Sequence, residues 1–456
     1  MRSRRTHPAA FLVAALGAVL GVLALAPPAR AIPAFAGQTG QPCAACHVGS
    51  FGPQLTPFGI AFKLGGYTMQ GGEGVASEIP LSAMVISSFT NTASAQPSSP
   101  AQHFATNDNF SLDTVSLFLG GHLTDYAGGL IQGTWLGTTQ AMHLDNSDLR
   151  LTAPAIIGDG VLQVGVDLNN NPTVQDPYNT TFAWGFPYVA SSLAPVPTAQ
   201  PVLVSSFATN SIGVSAYAWW NQSIYAEAGL YRTMTPGWVA GLGETGPPGF
   251  TDSVAPYARL AYQQQWSGQL AEIGALGFYA PLSEAAVGMP GQNSYIDYGI
   301  DAMYQFLGSG EHVVSVYGIF LRENQDLAAS YAAGAADGSA HTLNEFRGNV
   351  SYYYDQSYGV TLGFLDVFGS SDPLLYAPAA IAGSANGSPN SKALTAQIDW
   401  TPFGKVGSWG SPFANLRLGV QYVDYLEFNG GTTNYDGFGR NASDNNTLYL
   451  FAWLAF

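Results

Sequence analysis

Apolar and polar residues alternate along most of the chain from about residue 78 to the C-terminus. A period of two residues is the signature of a β-strand with one apolar and one more polar face. Two segments show the pattern clearly, with the apolar residues Phe346, Val350, Tyr352 and Tyr354 in one and Leu416, Leu418, Val420 and Tyr422 in the other. The pattern therefore predicts an all-β structure for this part of the chain.

About sixteen such strands can be counted, some joined by short turns such as 355–359 and others by long polar segments. They fall near residues 78–90, 109–122, 125–136, 147–154, 160–169, 211–221, 222–233, 254–265, 268–280, 294–306, 311–322, 344–355, 358–368, 392–402, 412–426 and 446–456. The long segments lie near 170–210, 234–252, 326–340, 370–390 and 427–443. Short turns at one end and long loops at the other are typical of outer-membrane barrels.

The C-terminal strand and the composition favour a membrane barrel over a large soluble β-sandwich or propeller. The chain ends in an alternating strand whose last residue is Phe456, the kind of terminus that the bacterial outer-membrane assembly machinery recognises. Only 10% of the 456 residues are charged, against about 25% in soluble domains. No repeat of propeller-blade length is present. We therefore predict an outer-membrane β-barrel of about 16 antiparallel strands over residues 75–456.

The N-terminus has the pattern of an export signal. Three arginines within residues 1–7 precede an uncharged apolar run at 9–26, and Ala29-Arg30-Ala31 supplies a small-x-small cleavage site. A retained membrane anchor is the alternative. We predict a cleaved signal peptide at residues 1–31 and export by the general secretory route. Cleavage would leave 10 basic and 30 acidic residues, a net charge of −20, which excludes a nucleic-acid partner.

Both cysteines of the chain lie in one pentapeptide, Cys43-Ala44-Ala45-Cys46-His47. C-x-x-C-H is the attachment motif of c-type haem, in which two thiols bond to the porphyrin and the histidine binds the iron. A redox C-x-x-C pair and a small disulfide are the alternatives. A zinc site would need further ligands, and no Cys or His occurs between His47 and His103. We predict one covalently attached haem c, held by Cys43, Cys46 and His47.

A short helix is predicted after this motif, with Thr56 as its N-cap and Pro57 in its first turn. Phe58 and Phe62 are four residues apart, so they share a helix face that would cover the haem. Met69 is the preferred second axial ligand, and Met84, His103 and His122 could also serve. The haem segment, residues 32–74, is close to the lower size limit for independent folding and needs the rest of the chain as a partner surface.

The segment from Phe35 to Thr68 resembles the fused monohaem cytochrome–porins of the bacterial outer membrane, whose best-known members are iron(II) oxidases. The resemblance rests on the C-x-x-C-H motif and on the Leu-Thr-Pro-Phe-Gly sequence that begins at Leu55. It implies a 16-stranded barrel plugged by the N-terminal haem segment. The family often carries arginine where Gly37 and Ile60 stand here, at positions suited to haem propionates.

The resemblance further implies electron transfer from extracellular Fe²⁺, or another donor, through the haem to a periplasmic cytochrome or copper protein. Such a protein would be an iron(II):cytochrome c oxidoreductase. Two other functions stay open. One is a diffusion porin without iron oxidation, whose haem segment gates or plugs it or acts as a redox sensor. The other is a five-coordinate haem that binds a small gas or peroxide. Among the loop carboxylates, His143 with Asp145 and Asp148 is the nearest approach to an iron-binding cluster.

Overall fold

Sixteen antiparallel strands form a closed barrel in a computed structural model that describes residues 33–72, 80–241, 251, 253–283, 291–411 and 414–456. The predicted signal peptide, residues 1–31, lies outside the described residues. Each strand pairs with its neighbours in sequence, and β1 closes the barrel by pairing with β16. The strands are β1 Leu81–Thr92, β2 Asn109–Thr124, β3 Ala127–Leu136, β4 Ala141–Ile157, β5 Gly160–Asn169, β6 Ser211–Trp220, β7 Ile224–Thr233, β8 Ala255–Trp266, β9 Gln269–Ser283, β10 Gln292–Phe306, β11 His312–Asp326, β12 Ala340–Tyr354, β13 Tyr358–Gly369, β14 Ser391–Trp400, β15 Asn415–Glu427 and β16 Thr447–Ala455.

The predicted strand number and nearly all strand positions are confirmed. The largest difference is β4, which begins at Ala141 although the sequence pattern predicts a start near 147. Polar residues such as His143 and Asp145 interrupt the apolar alternation there. The strand nevertheless continues, across a register shift in its pairing with β3.

The barrel carries apolar residues outside and polar residues inside, the reverse of a soluble protein. In β10, Ile296, Tyr298 and Ile300 are exposed, whereas Asp297 and Asp301 are buried in the lumen. Charged side chains are costly in lipid, so an apolar exterior with a polar interior is the arrangement of outer-membrane barrels. The chain is a bacterial outer-membrane barrel, with the long loops at the outer end and the short turns and both barrel termini at the periplasmic end.

Five short helices accompany the strands in the described ranges of the chain. They are α1 Ala34–Thr39, α2 Cys43–Cys46, α3 Pro57–Leu64, α4 Pro236–Gly241 and α5 Ala328–Ala332, with 3-10 turns at Val48–Ser50, Phe182–Trp184 and Ala442–Asn445. None of the helices in the described part of the chain is long and apolar enough to cross a membrane.

The lumen is filled from both ends. From the periplasmic end, residues 33–72, which we call the plug, enter the barrel: Tyr217 Oη donates to Leu64 O at 2.8 Å, and Gln305 Nε2 donates to Leu55 O at 2.8 Å. From the outer end, residues 170–210, which we call the inner loop, fold inward and bury Tyr178 and Phe207. The plug predicted for the N-terminal segment is therefore present.

Candidate functional site

A cavity of about 630 Å³ lies in the lumen between the plug, the inner loop and one side of the barrel wall. Its lining includes Cys43, Cys46 and His47 from the plug. The structure thus brings the whole predicted haem-attachment motif to one cavity, whose volume is within the range of sites for large organic ligands.

The two cysteines occupy the single turn of α2 and are both unpaired thiols. Ala44 N donates to Gly404 O at 3.1 Å, which fixes this turn to the periplasmic segment between β14 and β15. Burial, with a smaller contribution from Cys43, raises the pKa of the Cys46 thiol to about 12, and burial also raises the pKa of Cys43. Redox-active C-x-x-C pairs have a lowered thiol pKa, the opposite direction of shift.

His47 is positioned by its own backbone. Its N–H donates to Cys43 O at 2.8 Å, and it forms an antiparallel bridge with Leu55. His47 is among the residues that line the cavity, and its Nδ1 atom is buried without a hydrogen-bond partner among the described residues. Burial, and then the positive charge of Arg417, lower the pKa of His47 to about 4. The imidazole is therefore neutral at physiological pH, the form that binds a metal ion.

Helix α3 packs directly against the cysteine turn. Thr56 caps it as predicted, accepting from Gly59 N at 3.3 Å, and Thr56 N donates to Cys46 O at 2.9 Å. A side chain on Gly59 would collide with this same Cys46 carbonyl. Glycine at position 59 thus permits the close approach of α3 to the attachment motif.

One of the two predicted aromatic residues lines the cavity. Phe62 lines the cavity, and its ring packs edge-to-face against Phe35 with the ring centroids 5.1 Å apart. Phe35 in turn stacks on Tyr67, with the ring centroids 5.3 Å apart. Phe58 does not line the cavity, so the structure places only one of the two α3 phenylalanines there. That they cover a haem stays a prediction. The i, i+4 spacing gave a common helix face but could not show that only part of that face would meet the cavity.

The preferred second ligand, Met69, does not reach the cavity. Its side chain is 40% exposed, on the segment that follows α3. Met84 of β1 lines the cavity instead, and Trp453 Nε1 donates to its sulfur at 3.1 Å. Neither His103 nor His122 belongs to the cavity lining. Spacing favoured Met69 because sequence alone could not show which strand faces the motif.

Two cationic residues lie beside the cavity, Lys63 of α3 and Arg347 of β12. Lys63 Nζ donates to Val174 O at 2.7 Å and to Asp176 O at 2.6 Å, which joins the plug to the inner loop. Arg347 pairs with Glu345 and lies over the ring of Phe182, 5.3 Å from its centroid. Neither residue can be placed at the cavity from the sequence, because charge alone does not show which side chains face the lumen.

The two positions where the family that the segment resembles often has arginine are occupied here by Gly37 and Ile60, which lie outside the cavity lining. Ile60 is fully buried in an apolar cluster. Among the described residues, His143, Asp145 and Asp148 do not form a group that could hold a metal ion. Asp145 accepts from Thr134, and Asp148 accepts from Tyr67 and pairs with Arg150.

No protein-family model and no curated protein sequence matches the chain. Solved structures similar to 82% of it include the anion-selective porin from Comamonas acidovorans (13% identity, 98% of that chain, TM-score 0.45). Salmonella typhi OmpF (10% identity, 97% of that chain, TM-score 0.45) and Pseudomonas putida OprB (11% identity, 93% of that chain, TM-score 0.46) are also similar. None of these similarities transfers a function to this chain.

Proposed function

We propose that this barrel is an outer-membrane cytochrome that carries one haem c in its lumen cavity and passes electrons between an outer donor and a periplasmic acceptor. One observation carries the proposal: Cys43, Cys46 and His47 line the same cavity of about 630 Å³. The three residues are adjacent in sequence, but a common cavity large enough for a cofactor is not a consequence of that adjacency.

The residues that line the cavity fit a covalently attached haem. Cys43 and Cys46 would bond to its edge, and His47 and Met84 would bind its iron. Phe62 with Phe35 offers an apolar surface for the ring, and Arg347 offers a positive charge for its propionates. Haem bound in this way supplies a one-electron carrier.

The placement of the motif suits a periplasmic acceptor. Residues 43–47 lie against the periplasmic segment around Gly404. A periplasmic cytochrome or copper protein would meet the barrel at this end. The net charge of −16 for the whole chain favours a cationic donor such as Fe²⁺ by raising its local concentration.

The test uses the full chain expressed in a bacterial host that attaches haem to c-type cytochromes. We expect a covalent haem that remains with the denatured protein and an absorption spectrum of low-spin iron. Cys43→Ala with Cys46→Ala should remove the covalent haem while the barrel still migrates as a folded species on a gel. Stopped-flow mixing with anaerobic Fe²⁺ should then reduce the wild-type haem. A folded wild-type barrel without covalent haem would refute the proposal.

A diffusion porin is the second candidate, supported by the closed 16-stranded barrel itself. The plug and the inner loop both occupy the lumen, which argues for a small conductance. Purified protein in a planar bilayer separates the candidates. Large steady conductance from haem-free protein favours the porin, whereas low conductance together with Fe²⁺-dependent haem reduction favours the cytochrome.

A further inference from the structure

Three side chains that can bind a metal ion converge at the outer end of the barrel, away from the cavity. His341 stands at the start of β12, Asp337 lies in the loop before it, and Asp372 lies in the loop after β13. One potential ligand atom from each lies within 4.8 Å of the other two. The loops 327–339 and 370–390 thus meet at a mixed imidazole–carboxylate cluster.

The spacing suits a shared ion better than direct hydrogen bonds. His341 Nε2 is 3.4 Å from Asp337 Oδ1 and 3.3 Å from Asp372 Oδ2. Good N–H···O hydrogen bonds are shorter, about 2.7 to 3.2 Å. Neighbouring ligands of one ion, each bonded to it at about 2.0 to 2.2 Å, stand roughly 3.0 to 3.5 Å apart.

The cluster is held in place by its surroundings. The His341 side chain is only 6% exposed. Asp372 is fully buried: its Oδ1 accepts from Leu374 N and Leu375 N, each at 2.9 Å, and its Oδ2 accepts from Asp337 N at 2.9 Å. Such support of ligand carboxylates is usual around metal ions. The Asp337 side chain is 42% exposed, which leaves a path for an ion.

We propose that Asp337, His341 and Asp372 form a binding site for a divalent first-row transition-metal ion that ties the two loops together. One imidazole nitrogen and two carboxylate oxygens are a ligand set for ions such as Mn²⁺, Fe²⁺ and Zn²⁺. The site does not rest on the proposed haem function. His341 is six residues from the cavity residue Arg347 along the inward row of β12, roughly 20 Å away at the rise of a strand.

The test measures Mn²⁺ binding to the purified full-length barrel by electron paramagnetic resonance, in which bound Mn²⁺ leaves the free-ion signal. We expect one equivalent to bind to the wild type. Asp337→Asn, which alters a partly exposed side chain, should weaken binding at least tenfold, and His341→Ala should abolish it. His103→Asn is the matched control, because His103 lies in an outer loop outside the cluster and its positive φ of 73° suits asparagine.

Folding of each variant is checked by the gel migration of the barrel, and the haem spectrum of each sample is recorded. Loss of Mn²⁺ binding with an unchanged spectrum supports the loop site by itself. Absence of stoichiometric binding by the wild type would overturn it. So would equal binding by wild type and Asp337→Asn, because His341 and the two carboxylates would then form a charge cluster only.

Discussion

The indole Nε1 of Trp453 donates a hydrogen bond to the sulfur of Met84 at 3.1 Å, and both side chains line the lumen cavity. Met84 belongs to β1 and Trp453 to β16, so the contact spans the seam where the barrel closes. The flexible methionine side chain is held by this donor in a position that a bound cofactor can reach. A second axial ligand from the barrel wall would make haem binding depend on barrel closure.

Met84→Ala is expected to remove the spectral features of methionine-ligated haem iron, because no other methionine of the described residues lines the cavity. The far-red absorption band of the ferric protein should disappear, and the reduction potential should fall. Met69→Ala is the control, since Met69 is 40% exposed and does not line the cavity. Loss of the band in Met69→Ala with its retention in Met84→Ala would reverse the assignment.

Gly59→Ala should loosen the plug. The added methyl group would collide with the Cys46 carbonyl, which is fixed by its hydrogen bond from Thr56 N at 2.9 Å and cannot move aside. Overpacking of this kind typically costs about 1 to 3 kcal/mol. We expect a lower yield of covalent haem and faster proteolysis of residues 33–72. Gly237→Ala, which meets no atom within 4 Å, should match the wild type in both measurements.

Lys63 should make the docking of the inner loop dependent on pH. Burial, and then Arg150, lower its pKa from 10.5 to about 7, although Asp148, Asp176 and Asp167 act in the opposite direction. A lysine with a lowered pKa binds more protons when the loop is undocked. Docking therefore strengthens as pH rises above about 7.

The pH dependence of docking is measured by amide hydrogen exchange of residues 170–180, expressed as protection relative to the intrinsic exchange rate at each pH. Protection should increase between pH 7 and pH 9 in the wild type and stay flat in Lys63→Met, which has no titrating group at this position. A flat profile in the wild type, or the same rise in the variant, would contradict a buried titrating Lys63.

The barrel could be predicted from the sequence because the alternation that marks each strand lies within a few consecutive residues. Ile296, Asp297 and Tyr298 alternate between lipid and lumen in a way that depends only on their own strand. The cysteine motif was likewise readable, since Cys43, Cys46 and His47 are contiguous. The helix cap at Thr56 follows from residue type and the proline after it.

The rest of the site depends on contacts between distant residues, which a single sequence does not contain. Met84 and Trp453 are 369 positions apart, and their meeting follows from barrel closure. Arg347 faces the cavity because of its register with neighbouring strands, and Asp372 joins His341 only because adjacent loops fold together. Where Phe58 and Met69 lie relative to the cavity depends on contacts of the same kind, because spacing along the chain does not show which residues meet the cavity.

Arg417 should control whether the lumen conducts. Its guanidinium is almost fully buried, donates to Phe51 O at 2.8 Å and Gly49 O at 3.2 Å, and lies 3.3 Å from Asp399. It therefore fastens the plug to the barrel wall at the periplasmic end. Arg417→Met removes these bonds and leaves the Asp399 carboxylate buried without its charge partner, a loss of about 3 to 5 kcal/mol for buried pairs.

We expect Arg417→Met to raise single-channel conductance in a planar bilayer and to speed proteolysis of the plug, because the turn at residues 48–51 is released. Adding Asp399→Asn should restore stability but not the low conductance, since the donors to Gly49 and Phe51 remain absent. Lys392→Met is the control: its ion pair with Glu427 at 3.4 Å is partly exposed, and such pairs contribute about 0 to 1 kcal/mol. Conductance equal to wild type in Arg417→Met, with proteolysis of the plug also unchanged, would mean that the plug is held without Arg417.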